Sequence, residues 1–66
     1  MMPYKSNNDL PKSISDNLPE HAQDIFRTAF NNAHEEHGNE KQAFKIAWSA
    51  VERRYKKNED GQWVQK

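Results

Sequence analysis

Ala43-Phe44-Lys45-Ile46-Ala47-Trp48-Ser49-Ala50-Val51-Glu52-Arg53-Arg54-Tyr55 is the densest apolar run in the chain and holds one of its two tryptophans. Phe44, Ala47 or Trp48, Val51 and Tyr55 recur at i, i+3/i+4, i+7 and i+11, the spacing of one helix face. Ala43, Ala47 and Ala50 set small side chains beside that row, where a second helix can approach closely. Lys45, Glu52 and Arg53 take the opposite side. The run predicts a core helix that needs another helix to cover it.

The covering helix is legible upstream. From Pro19 the pattern is helical for about five turns, with Ala22, Ile25/Phe26, Ala29, Phe30 and Ala33 as the apolar stripe. Glu20, Gln23, Asp24, Arg27 and Asn31 are read as its outward side. Glu20 and Asp24 lie near the positive end of the helix dipole, which favours carboxylates. Gly38 is the natural stop, because it adopts the left-handed conformation that closes a helix. Asn39 followed by Gln42 is a capping-box variant that opens the next helix. The connection is short, so the two helices are expected to form an antiparallel hairpin or to cross steeply.

Both ends of the chain read differently. Pro3 forbids helix near the N-terminus, and Tyr4 is placed in an extended segment against the core. Asp9-Leu10-Pro11 reads as a helix start with Asp9 as N-cap, and Leu10, Ile14 and Leu18 at intervals of four would share one buried face. Pro19 ends that short helix. After Tyr55, Lys56-Lys57-Asn58-Glu59-Asp60-Gly61 is a polar turn, and Gln62-Trp63-Val64-Gln65 suits a short strand. A lone strand needs a partner. The expectation is a small antiparallel clasp between this strand and the extended Met2–Lys5 segment. The fold class expected is therefore mainly α, a three-helix domain spanning residues 1–66 with a minor strand pair joining its N- and C-terminal segments.

Composition narrows the function. With 66 residues the chain is near the lower limit for a single core, and three Phe, two Trp and two Tyr must supply much of the burial. There is no cysteine, which excludes disulfides, thiolate metal sites and thiol nucleophiles. Ten basic residues balance ten acidic ones, which weighs against a domain dedicated to nucleic acid. No apolar run approaches the ~20 residues of a membrane span, and no signal-peptide pattern opens the chain. The expectation is a soluble cytoplasmic protein.

Several short motifs occur in a specific order: Met2-Pro3-Tyr4, Leu10-Pro11, Leu18-Pro19-x-His21-Ala22-Gln23-x-Ile25, and Ala29-Phe30-Asn31-x-Ala33. Ala47-Trp48-x-Ala50-Val51, Tyr55 and Gly61-x-Trp63 complete the series. In this order the chain resembles the ChaB family of small bacterial proteins. That resemblance implies a mostly helical fold with a small extended element. It also implies a candidate regulator of cation transport, since the family's namesake lies beside a sodium/calcium–proton antiporter. Some relatives carry an appended nucleic-acid-associated domain, for which 66 residues leave no room. Relatives often have a longer, heavily charged connection between the last two helices. Here Ala33 to Ala43 is compact, so a binding role for such a loop does not carry over.

Three groups of residues are candidates for function. His34, Glu35, His37 and Glu40 have metal-ligand chemistry, and His34 and His37 can share a helix face. Gly38 interrupts that face, however, and no four-ligand set emerges, so no metal and no cofactor is expected. His21 lies inside a family motif at a helix start. It is either a surface contact or pH-sensitive group, or it joins Gln23 in hydrogen-bonding a neighbouring loop and fixing helix entry, and the second reading is preferred. Arg53, Arg54, Lys56 and Lys57 surround Tyr55 with only Glu52 against them. Basic residues in a last helical turn complement the dipole, yet this cluster is also the best partner-binding patch the sequence offers.

Neither the serines (6, 13, 15 and 49) nor the glycines form a nucleophile or phosphate-loop motif, so no enzyme is expected. The leading reading is a non-enzymatic regulatory or adaptor protein acting on the cytoplasmic side of a cation/proton antiporter. The alternative is a nucleic-acid-associated accessory protein, against which the zero net charge counts. For stability, helical spacing makes the aromatic residues core. On this reading Trp48→Ala costs roughly 3–5 kcal/mol and abolishes a cooperative melt.

Overall fold

The two long helices form as the apolar spacing requires. The computed structural model describes residues 3–66, and in it α2 spans Glu20–His37 and α3 spans Glu40–Arg54. Between them stand only Gly38 and Asn39. Gly38 takes φ 63°, the left-handed region open to glycine, and its N–H donates to the carbonyl of His34. Asn39 then caps α3, its Oδ1 accepting from the Gln42 N–H at 3.2 Å.

Ring contacts fix the mutual direction of the helices. Phe30 meets Phe44, Phe26 meets Trp48, and His21 meets Tyr55. Stepping back along α2 thus steps forward along α3, which makes the pair an antiparallel hairpin. Ala22 and Ala33 on α2, and Ala43 and Ala47 on α3, are all buried. Small side chains at these positions let the backbones approach, while Phe26 and Phe30 fill the volume beside them.

The N-terminal third covers this hairpin. Residues Asn7–Asp9 make a 3-10 turn, and α1 is a single turn, Lys12–Ser15. Asp9 is therefore not the cap of α1. Pro11 forces Leu10 into extended geometry (ψ 150°) and so delays the helix, whose first carbonyl is that of Pro11. Leu10, Ile14 and Leu18 are nonetheless all buried, because the turns flanking α1 keep their side chains on one side.

The strand pair exists, but with a different partner. Helix α3 stops at Arg54, and Tyr55–Lys57 continues directly as β1, antiparallel to β2, Trp63–Gln65. Tyr55 pairs with Gln65, Lys56 with Val64 and Lys57 with Trp63. The expected clasp between the two termini is replaced by this local hairpin. Closing so short a loop costs less chain entropy than joining the two ends of the protein. Asn58 also favours it: its N–H donates to Gln62 O, its carbonyl accepts from Gly61, and its Oδ1 accepts from the Gln62 N–H. Of the expected N-terminal strand, Met2 lies outside the described residues, and Tyr4 is held by other means, described below.

Burial also reorders the core. Phe26 is fully buried and meets the rings of Phe30, Phe44 and Trp48. Trp48 is only half-buried, leaning on Phe26 and covered in part by Trp63 at 5.4 Å between ring centres. Phe44 is 37% exposed. The most enclosed aromatic residue is thus Phe26 and not Trp48. Phe26→Ala is expected to cost roughly 3–5 kcal/mol, close to the whole stability of a domain this small. In thermal melts followed by circular dichroism, Phe26→Ala should show no cooperative transition. Trp48→Ala should keep one at a lower midpoint.

Candidate functional site

Helix α2 carries a polar row beside its apolar stripe. Gln23, Arg27 and Asn31 are spaced four residues apart, so they lie one above another on the helix. Each reaches back to the N-terminal third. Gln23 Nε2 donates to the carbonyls of Ser15 (3.0 Å) and Leu18 (2.8 Å), satisfying groups left open where α1 ends. Arg27 Nε donates to Asn7 Oδ1 at 2.8 Å, and Asn7 Nδ2 donates to Asp24 Oδ1 at 2.7 Å. Arg27 and Asp24 also face each other at 3.4 Å. Buried Asn31 accepts from the Tyr4 N–H (3.1 Å) and donates to the Tyr4 carbonyl (2.8 Å).

This row was read from the sequence as an outward face, and the structure corrects that for Gln23, Arg27 and Asn31, while Asp24 stays half-exposed. Only the chain that they bind was missing from the reading. The Tyr4 ring lies on Phe30 at 4.9 Å, and burial together with the Glu40 carboxylate pushes its hydroxyl above the ordinary value of 10.0. The hydrogen bond from Asn7, then the Arg27 bond and charge and the more distant His21, outweigh partial desolvation. Together they hold the Asp24 carboxyl below its ordinary 3.8.

The basic cluster does not stay together. Arg53 and Arg54 are exposed and line a groove of about 470 Å³ between α2 and α3 with Asp24, Ile25, Thr28, Ala29 and Ala50. Lys57 lies elsewhere, with Ser13, Asn17, Trp48, Glu52 and Trp63. Lys56 is exposed at the middle of β1. The change from helix to strand at Tyr55 is what separates neighbours in sequence, since side chains then alternate across the ribbon. His21 is exposed at the start of α2, its ring 6.3 Å from that of Tyr55, and among the described residues no side-chain hydrogen bond fixes it to a loop. Gln23 does the loop-fixing that was assigned to both.

Among the described residues, no group of three His, Asp or Glu side chains is placed to hold a metal ion. The His34 ring stacks on Phe30 at 6.0 Å, while Glu35, His37 and Glu40 are exposed at the turn. No helix among the described residues is long and apolar enough to cross a membrane.

The arrangement of α2, α3 and the strand hairpin has a counterpart in known proteins. The ChaB family model matches residues 10–66. This chain belongs to the ChaB family. Two ChaB relatives, from Escherichia coli K12 and Shigella flexneri, are each 41% identical over 75 residues, covering 98% of this chain and 99% of theirs. Both carry the name "Putative cation transport regulator ChaB". A ChaB protein solved by NMR in solution superposes with a TM-score of 0.87 at 40% identity, covering 97% of this chain and 99% of its own. The mainly helical fold with two long helices, one short helix and a small antiparallel sheet is thus the ChaB fold.

Two outcomes follow from the polar row. Asn31→Ala leaves the Tyr4 peptide groups without partners and should destabilise the protein by about 1–3 kcal/mol. Hydrogen exchange should show the Tyr4 amide losing its protection. A depressed carboxyl stabilises fully above its ordinary value, and that contribution disappears as pH falls through the lower native value. Acid titration below about pH 3.8 should therefore loosen Asn7 from α2, seen as shifts of its side-chain amide by NMR. Asp24→Asn should abolish that transition.

Proposed function

We propose that this protein is a non-catalytic regulator of cation transport, and that its target is a cation/proton antiporter bound on the cytoplasmic side. The observation that carries the reading is the end-to-end likeness to relatives named as cation transport regulators. The chemistry of the surface supports it. A catalytic site needs an ionisable group tuned by a cleft and set beside a second functional group. Here Tyr4 and Asp24, whose proton affinities are displaced, both serve to fix the N-terminal segment. What the molecule presents outward is a contact surface: an apolar-floored groove with Arg53 and Arg54 on its rim.

Binding by such a surface can change transport only if the bound and free transporter differ in activity. The test is reconstitution of a purified cation/proton antiporter in vesicles, with exchange followed by a pH-sensitive dye. Adding the protein on the cytoplasmic side should change the exchange rate at saturating concentration, and deleting its gene should alter cation tolerance. An unchanged rate together with unchanged tolerance overturns the reading.

A further inference from the structure

The groove between α2 and α3 continues along α3. The hollow holding Arg53 and Ala50 adjoins a second one lined by Lys45, Ile46, Ser49, Ala50 and Arg53, and Lys45 is shared with a third that includes Lys41 and Gln42. The floor of the first two hollows is apolar and shallow, while the third is lined by polar and basic side chains. Ile25, Ala29 and Ile46 are partly buried at the edge of the core, and Ala29 and Ala50 leave space that larger residues would fill. Lys41, Lys45 and Arg53 repeat at intervals of four or eight along one side of α3, with Arg54 beside them. Among the residues lining these hollows the one acid is Asp24, whose carboxylate is already engaged by Asn7 and Arg27.

The chain as a whole is electrically balanced, so this row is a local segregation of charge. Helix stability accounts for Arg53 and Arg54, which lie in the last turn of α3, but not for Lys41. Lys41 lies in the first turn of α3, where the dipole disfavours a cation. From Lys41 to Arg53 the trough runs about 18 Å at the helical rise per residue. The apolar floor occupies the Ile25, Ala29, Ile46 and Ala50 part of that length, and the Lys41 end is polar, so an occupant must pair an apolar patch with acidic groups spread along the basic rim.

The geometry points to this trough as the docking site for an acidic amphipathic helix of about three turns from a partner protein. Its apolar face seats on Ile25, Ala29, Ile46 and Ala50, and its Asp or Glu residues meet Lys41, Lys45, Arg53 and Arg54. The inference rests on the regulatory reading above and supplies the chemistry of the partner segment.

The test is a display selection of random peptides of about 15 residues, enough for a helix as long as the trough, against the full chain. Selected peptides should be rich in Asp and Glu with apolar residues at helical spacing. They should shift the NMR signals of Ile25, Ala29, Ile46 and Ala50. Arg53→Gln with Arg54→Gln, both at exposed positions, should weaken binding about tenfold and flatten its salt dependence. Ala50→Leu should weaken it similarly by filling the floor, with the melting midpoint retained.

Selection of basic or purely apolar peptides, or shifts confined to the Trp48–Trp63 side, overturns the inference. So does a trough occupied by a second copy of the chain or by vesicles of anionic lipid in place of peptide. The two readings fail separately. Altered antiporter exchange that survives the arginine substitutions removes this docking site but not the regulator. Trough-bound acidic peptides with unaltered exchange do the reverse.

Discussion

The rest of the structure depends on the two-residue connection Gly38-Asn39. A left-handed glycine followed at once by an asparagine cap leaves no slack, so α2 must turn back along α3. Once the helices are antiparallel, Phe26, Phe30, Phe44 and Trp48 are brought to one side of the hairpin, where α1, the Tyr4 segment and Trp63 can cover them. On the other side the same packing leaves Ile25, Ala29, Ile46 and Ala50 partly buried, lining an open groove among the described residues. Core and candidate contact surface are two sides of one hairpin.

The hairpin itself was legible because its signals are local. Apolar spacing, a glycine stop and an Asx cap each act within a few residues, and all three appear where the sequence places them. The family was legible for a different reason: many weak motifs in fixed order are specific together. What sequence reasoning missed depends on partners distant in the chain. Gln23 and Asn31 are polar, and polarity in an amphipathic helix reads as solvent exposure. Only the position of Ser15, Leu18 and Tyr4 in space turns them into buried or half-buried anchors. A signal was available, since amides recurring beside an apolar stripe at intervals of four or eight can serve backbone groups. Charge alone could not have revealed it.

The basic cluster shows a related failure. Arg53, Arg54, Lys56 and Lys57 flank Tyr55 in sequence, and on a continuing helix they would have wrapped around one end. The backbone changes from helix to strand at Tyr55, and the periodicity changes with it. Two arginines remain beside the groove and Lys57 moves to the tryptophan side. Conversely, Lys41 and Lys45 are separated from the arginines in sequence but joined to them by helical periodicity. The charged surface of the folded protein is therefore not the charged segment of its sequence.

The hold of Asn31 on Tyr4 has an evolutionary consequence. The carboxamide reads a peptide N–H and a peptide C=O, atoms that any residue except proline would present at position 4. Attachment at Tyr4 is thus written mainly in α2, with Tyr4 contributing a backbone and a ring to lay on Phe30, while Asn7 ties the segment down by its side chain. Neighbouring positions such as Lys5 and Ser6, both exposed, can drift in sequence without detaching the strap. A structural part anchored through its backbone is free to change what it shows to the outside.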